Sequence, residues 1–393
     1  MDVVILAAGA GTRMRPLTRR TPKPLLTVGD RSIAEHVADA AVAGGATSLV
    51  FVVGANADPI RDVFGDRYRE VPVTYAVQNP PNGTAGAVRT ALDYVEGQFA
   101  VLNGDNVYDP ESVARLFASG PSIGVHEVED PSAYGVVEIE DGWVVDVVEK
   151  PANPQTRYAN AGAYVFPDTD PATFAVHRSD RGEFELTDVV TQLVDETDVT
   201  AVEMARWLDV GRPWELLEAN EVIIPTYQPR IDGDVHQRAV VSPEAVVESG
   251  ATIRPGTVVE GQVYVRSGAT IGPNARLRGV TLVEEDATIG HAVEVKNSVV
   301  GRRSAVAHLS YVGDSVVGPD VNLGAGTNVA NLRHDEHPVE LTVGDRRVST
   351  GRRKFGAVFG PGAKTGINTS ILPGVTLSED ATTVPGEVVD RDR

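Results

Sequence analysis

The 393-residue chain contains no cysteine, which excludes disulfides and thiolate metal sites from its fold and chemistry. It lacks any basic excess: 35 lysine and arginine residues stand against 55 aspartate and glutamate, a net charge of −20. A surface of that sign repels phosphate backbones and anionic lipid, so neither nucleic acid nor a membrane is expected as a partner. It has no apolar run of the ~18 residues that a membrane-spanning helix needs. The first strand-like run starts at Val3, which leaves no room for a signal peptide and points to a soluble, cytoplasmic protein. Lysine is the scarcest of the charged residues, found only at positions 23, 150, 296, 354 and 364, the other basic residues being arginine. Abundant carboxylate with little lysine suggests a halophilic composition. It also makes each surviving lysine a candidate for a place where a compact ammonium is required.

Against these absences, one stretch stands out. Val3-Val4-Ile5-Leu6 reads as a short buried strand. It runs into Ala7-Ala8-Gly9-Ala10-Gly11-Thr12, a small-residue turn whose backbone N–H groups suit phosphate oxygens. Arg13 and Lys23 follow within fourteen residues of Gly9. The turn is not a dinucleotide fingerprint, because Met14 stands where the third glycine belongs, and it has no Gly-Lys-Ser/Thr of the Walker type. Further on, Ser48–Val53, Val73–Val77 and Phe99–Leu102 read as strands, with helices through Ile33–Ala43 and Thr84–Val95. Such alternation implies an α/β fold with a mainly parallel sheet, whose ligands bind beyond the carboxyl ends of the strands. Gly9 and Asn103-Gly104-Asp105 both fall at such ends.

The texture changes after residue 225. Residues 226–234 read as a linker. From Val235 to Val295 an aliphatic residue recurs every six positions, through Val241, Val247, Ile253, Val259, Val265, Ile271, Leu277, Val283 and Ile289. Small residues recur two positions earlier. A period of six is incompatible with an α-helix and is the signature of a parallel β-helix of stacked hexapeptide turns. Its phase slips near Asn297 and Gly313, and residues 331–355 interrupt it as an excursion or loop. The expected organisation is therefore 1–225, a linker at 226–234, and a repeat domain over 235–393.

The opening stretch, Leu6 to Thr18 followed by Pro22-Lys23-Pro24, resembles the signature of sugar-1-phosphate nucleotidylyltransferases. That resemblance implies a Rossmann-like nucleotidyltransferase domain joining UTP, or dTTP, to a sugar 1-phosphate with Mg²⁺. It implies roles for Arg13 on the triphosphate and Lys23 on the attacking phosphate. Leu6, Ala7, Ala8, Gly9, Gly11 and Thr12 would cradle the nucleotide, and Gln78, Gly83 and Thr84 would lie at the base. Asp105 and Asp209 would be the metal ligands, and Gly135, Glu149, Lys150 and Asn160 would bind the sugar. The chemistry is coherent, because bringing two phosphates together demands cations and Mg²⁺ prefers hard oxygen ligands.

A second resemblance lies in the repeats. Ala307-His308-Leu309-Ser310-Tyr311, Val321-Asn322-Leu323-Gly324-Ala325-Gly326-Thr327 and Asn331 are similar to the acetyltransferase site of the bifunctional N-acetylglucosamine-1-phosphate uridylyltransferase / glucosamine-1-phosphate acetyltransferase family, in its archaeal type. That family's β-helix is left-handed and assembles as a homotrimer. By this resemblance His308 is the general base that deprotonates the sugar amine before it attacks acetyl-CoA, and a backbone N–H near Ala325 steadies the oxyanion. Arg278, Lys296 and Tyr311 hold the sugar phosphate, while Asn322 and Asn331 position the amine-bearing sugar. Arg352, Arg353 and Lys354 are expected to meet CoA phosphates. The chain departs from the family at Leu332, His337 and Glu340. The alternative is a glucose-1-phosphate uridylyl- or thymidylyltransferase whose β-helix serves only as a trimer scaffold.

Overall fold

The computed structural model describes residues 1–179 and 182–393. The chain divides into two compact units. One comprises Met1–Ala10, Pro22–Leu26 and Arg31–Asp209; the other comprises Gly11–Thr21, Thr27–Asp30 and Val210–Arg393.

The first unit is built on a ten-stranded sheet. Its centre is four parallel strands in the spatial order Val71–Val77, Ser48–Val53, Asp2–Ala7 and Phe99–Asn103. Strands covered on both faces read as unbroken aliphatic runs, and Val3, Val4 and Ile5 are fully buried. The expected parallel character belongs to this half, which carries the motifs. Beyond it, Tyr158–Phe166 runs antiparallel to Phe99–Asn103 and to Ser122–Glu127, and Gly135–Glu140 forms an antiparallel pair with Trp143–Glu149.

The Ile33–Ala43 helix matches its expected span. Its start is fixed by a capping box, in which the Glu35 backbone N–H donates to Ser32 Oγ and the Ser32 N–H donates to Glu35 Oε2, a cap of about 1 kcal/mol. The helix expected over 84–95 is shorter. It runs Thr84–Ala91 and tightens into a 3₁₀ turn over Leu92–Tyr94, as helix ends commonly do.

The second unit contains three parallel sheets of eight, seven and eight strands, the three faces of a β-helix. Its core is one continuous column of aliphatic side chains, including Ile253, Ile271, Ile289, Val306 and Leu323. The phase slip has a simple origin. Thr252 stacks on Thr270 and Thr270 on Thr288, eighteen residues apart, whereas Thr288 stacks on Ala305 and Ala305 on Asn322, seventeen apart. Each shortened turn drops one residue at a corner. The excursion at 331–355 contains an antiparallel hairpin, Glu340–Val343 with Arg346–Ser349. In the 226–234 stretch expected as linker, Arg230–Ile231 already pairs with Val246–Val247; a two-residue strand is too short to leave a sequence pattern.

Leu277 is fully buried in the core column. Its replacement by alanine is expected to destabilise the protein by about 2–5 kcal/mol, measured by chemical denaturation. A loss below about 1 kcal/mol would mean that the column collapses around the cavity.

Candidate functional sites

In the first unit, the ends of adjacent parallel strands bring the expected phosphate chemistry together. The Gly104 N–H donates to the Leu6 carbonyl at 2.9 Å, and a Cβ at Gly104 would come within 2.6 Å of that oxygen. Only glycine allows this close approach. Asp105 follows at once, and its carboxylate is ion-paired with Lys23 Nζ. Lys23 is 6 % exposed. Asp209 reaches the same place through the short antiparallel ribbon in which it lies opposite Asn106. Asp105 and Asp209 are half-buried. Two hard carboxylates, one balanced by a buried ammonium, suit a divalent cation that takes one or two protein oxygens and completes its shell with water and phosphate, so these residues fit Mg²⁺. Gly9 is exposed, with open space where a Cβ would project.

The residues expected at the base are tied to one another. Gln78 is buried and donates through Nε2 to Asn82 Oδ1 at 2.6 Å and to the Gly83 carbonyl at 3.0 Å. Gly83 has φ of +101°, and a Cβ there would lie 2.4 Å from the Phe184 carbonyl oxygen. The Thr84 hydroxyl accepts the Leu186 N–H at 2.9 Å, so it anchors the Leu186–Glu196 helix.

The segments expected to bind the sugar also converge. Gly135 lies opposite Glu149, and its would-be Cβ is 3.1 Å from Glu149 Oε2 and 3.4 Å from Asn160 Cβ. Asn160 donates to Tyr164 Oη at 2.8 Å and accepts the Gly162 N–H at 2.9 Å. Lys150 is half-exposed and paired with Glu149 at 3.0 Å. Thr187, which the sequence reading did not single out, packs its methyl 3.1 Å from the Gly135 Cβ position, and its buried hydroxyl finds no partner among the described residues. Its place at the start of a helix after Glu185 gave no signal beyond an ordinary helix residue.

In the second unit, Gly11 adopts φ of +58°, the left-handed conformation that favours glycine. Its carbonyl accepts the Met14 N–H at 3.0 Å and the Thr18 hydroxyl at 2.8 Å. Thr12 and Arg13 are exposed, and Arg13 Nη2 lies 3.2 Å from where a Gly211 Cβ would stand.

The β-helix assembles most of the second expected site on neighbouring turns. Arg278 stacks on Lys296, and Lys296 on Gly313. Stacked strands are ~4.8 Å apart, so the two cations lie side by side, and the missing side chain at Gly313 makes room on the next turn for the Tyr311 hydroxyl and the Asn331 amide, which a Cβ there would overlap. Arg278 Nε donates to Glu294 Oε1 at 2.7 Å. Lys296 Nζ donates to both oxygens of Asp314, at 2.9 and 2.7 Å. Asn331 Nδ2 donates to the same carboxylate and to Tyr311 Oη, the latter at 3.2 Å. Burial, together with the nearby Asp314 carboxylate, pushes the Tyr311 hydroxyl above the usual tyrosine value, so it stays protonated.

His308 is exposed, and its Nδ1 accepts the His291 backbone N–H at 3.3 Å. One turn on, Ala325 stacks over His308: the Gly326 N–H donates to the His308 carbonyl at 2.8 Å. Among the described residues the Ala325 N–H is bonded to no protein acceptor, as an oxyanion donor requires. Asn322 is exposed on the strand that stacks on Ala305.

Arg352 departs from its expected place at CoA phosphates. It is bonded to Glu221 and, at 3.4 Å, to Glu218, both on the Pro213–Ile223 helix, because this half-buried guanidinium needs anionic partners. Arg353 faces Glu336 at 3.4 Å, and Lys354 is exposed. Asp314, Asn297 and Glu221 were missed as participants; aspartate and asparagine at turn positions look like corner residues.

The nucleotidyl transfer family profile matches residues 2–225. The chain belongs to the nucleotidyl transferase family. A second profile, the GMPPB C-terminal domain, matches this nucleotidyltransferase over 231–333 and 258–389. Along its whole length it is 35 % identical to the bifunctional protein GlmU of Methanocaldococcus jannaschii, covering 95 % of that protein. It is 34 % identical to a bifunctional sugar-1-phosphate nucleotidylyltransferase/acetyltransferase of Sulfurisphaera tokodaii, with 100 % of this chain and 98 % of that one aligned. A glucose-1-phosphate thymidylyltransferase of Streptomyces griseus is 35 % identical over 66 % of this chain and 76 % of its own. Among solved structures, a Bacillus anthracis protein described as a glucose-1-phosphate thymidylyltransferase, in complex with sucrose, superposes with a TM-score of 0.52 at 28 % identity, over 56 % of this chain and 94 % of its own. The described residues include no helix long and apolar enough to cross a membrane.

Proposed function

We propose that this nucleotidyltransferase is bifunctional: it acetylates glucosamine 1-phosphate with acetyl-CoA and transfers UMP from UTP to N-acetylglucosamine 1-phosphate, releasing pyrophosphate. The observation that carries the reading is the polar cluster on the β-helix, where Lys296, Tyr311 and Asn331 are joined around Asp314. A scaffold has no need of it. The whole-length relatives named bifunctional support the same reading.

In acetyl transfer, Arg278 and Lys296 hold the sugar phosphate. His308 takes a proton from the sugar ammonium. The free amine attacks the thioester carbonyl, the Ala325 N–H meets the developing oxyanion, and the tetrahedral intermediate collapses to the amide as the C–S bond breaks, the proton still on the attacking nitrogen passing to the departing CoA thiolate. In nucleotidyl transfer, Lys23 and Arg13 offset the charge of the approaching phosphates. The attacking sugar phosphate oxygen forms its bond to the α-phosphorus as the bond to pyrophosphate breaks. Asp105 and Asp209 would hold Mg²⁺, which supplies charge neutralisation on the triphosphate. Assembly as a homotrimer through the β-helix is part of the proposal.

The second reading, a glucose-1-phosphate uridylyl- or thymidylyltransferase alone, draws on the similarity to the Streptomyces griseus enzyme. A substrate matrix separates the two. Four nucleoside triphosphates are assayed for pyrophosphate release with glucose-, glucosamine- and N-acetylglucosamine 1-phosphate, and CoA release is followed with each sugar in the presence of acetyl-CoA. The expected result is CoA release with glucosamine 1-phosphate and the fastest pyrophosphate release with UTP and N-acetylglucosamine 1-phosphate. Preference for glucose 1-phosphate with no CoA release would support the second reading.

A further inference from the structure

We propose that Glu221 is a positioning residue for the acetyl-transfer site, acting through Asn297 and Asp314 on Lys296 and Asn331. The inference rests on the acetyltransferase reading given above and adds residues that lie outside the sugar- and CoA-binding set.

The connection is an unbroken run of hydrogen bonds. Asn297 Nδ2 donates to Glu221 Oε1 at 2.7 Å and to Asp314 Oδ1 at 3.1 Å. Asp314 in turn receives Lys296 Nζ and Asn331 Nδ2. Asp314 is 3 % exposed, and a carboxylate so buried is retained only when fully paired. Its two oxygens occupy two of the three donors of Lys296, leaving the third for a phosphate oxygen. They also turn the Asn331 amide so that its NH₂ group faces the carboxylate. Asn331 Oδ1 is thereby left to accept from the sugar.

Glu221 stands at the far end of this run. Arg352 binds both of its oxygens. Burial raises the Glu221 carboxyl, but the bonds from Arg352 and Asn297 outweigh it and hold the group below its usual value. It is therefore a fixed anion near neutrality, and Arg352 balances its charge. Glu221 lies on the Pro213–Ile223 helix, which begins four residues after Asp209. The acetyl-transfer site is thus completed by a helix that precedes the first turn of the β-helix.

A plainer account is that Asn297 and Asp314 merely fill corners. Both have positive φ, +47° and +49°, and asparagine and aspartate accept that conformation more readily than other side chains. Corner geometry does not explain their side-chain bonds. The corner residues Arg303 and Asp320 also have positive φ, yet among the described residues their side chains pair with each other, Arg303 exposed and Asp320 half-buried. At 297 and 314 the side chains instead reach both the helix and the expected substrate residues.

The test uses the full-length protein and the variants Glu221→Gln, Asn297→Ala and their combination. Acetyl transfer is followed at varied glucosamine 1-phosphate, and thermal melting verifies folding. For Glu221→Gln the KM for glucosamine 1-phosphate is expected to rise about 5- to 30-fold, in line with loss of one charge-assisted hydrogen bond, with kcat within about twofold of wild type. Because both single changes cut the same run, the double variant should be no worse than the poorer single variant. An unchanged KM for Glu221→Gln, or strictly additive effects in the double variant, would overturn the proposal. Calorimetric binding of glucosamine 1-phosphate to wild type and Glu221→Gln provides an independent reading. Binding by a wild type that transfers no acetyl group would refute the acetyltransferase activity, and the ratio of the two dissociation constants would still decide the role of Glu221. Absence of binding by the wild type would refute both.

Discussion

Replacing His308 with alanine is expected to lower kcat for acetyl transfer by about 10²- to 10⁴-fold, the contribution of a positioned general base, while pyrophosphate release stays at the wild-type rate. The expectation follows from the placement of His308. Its ring is exposed, its Nδ1 accepts the His291 N–H at 3.3 Å, and the Ala325 N–H, proposed as the oxyanion donor, lies one turn away. Because the ring packs into no core, the substitution removes no buried contact, and melting should be unaffected. A kcat reduced less than about fivefold would show that another group takes the proton.

Replacing Lys23 with alanine is expected to lower the rate of pyrophosphate release by about 10²- to 10³-fold, the scale on which one preorganised electrostatic group contributes. Lys23 is almost fully buried and paired with Asp105, so the change removes a cation from the phosphates and also the partner of a carboxylate expected to bind Mg²⁺. Lys23→Arg should not restore the rate, because a planar guanidinium does not fit a place shaped for a compact ammonium. Acetyl transfer should be unaffected. Pyrophosphate release within threefold of wild type in Lys23→Ala would remove Lys23 from the reaction.

The motif-bearing strands were readable because burial on both faces forces unbroken aliphatic runs, and the β-helix because one core column forces a period of six. The Lys23–Asp105 pair was reachable only as two separate candidates, since their contact depends on Gly104 packing against Leu6. Much of the antiparallel half of the first sheet was hidden, because pairings such as Tyr158–Phe166 with Ser122–Glu127 join strands distant in sequence. Arg352 was misread for a related reason. A run of cations in a loop looks like an anion site until its acidic partners appear, and those partners, Glu218 and Glu221, lie 134 and 131 residues earlier. Asp314 carried no signal in the sequence, because its importance lies in what it holds.

The stacking of the β-helix also bears on where the protein can open. Each turn stacks on the turns before and after it, so the column is built mainly from nearest-neighbour contacts and loosens most easily at its two ends. The end strands of the three sheets are Arg230–Ile231, Asp234–Val235 and Val240–Val241 at one extremity and Lys364–Thr365, Val375–Leu377 and Val388–Val389 at the other. The turns bearing Lys296, His308 and Asp314 lie well inside both. A fluctuation that peels off a terminal coil leaves these groups in register, and disrupting them requires an opening that costs much of the column.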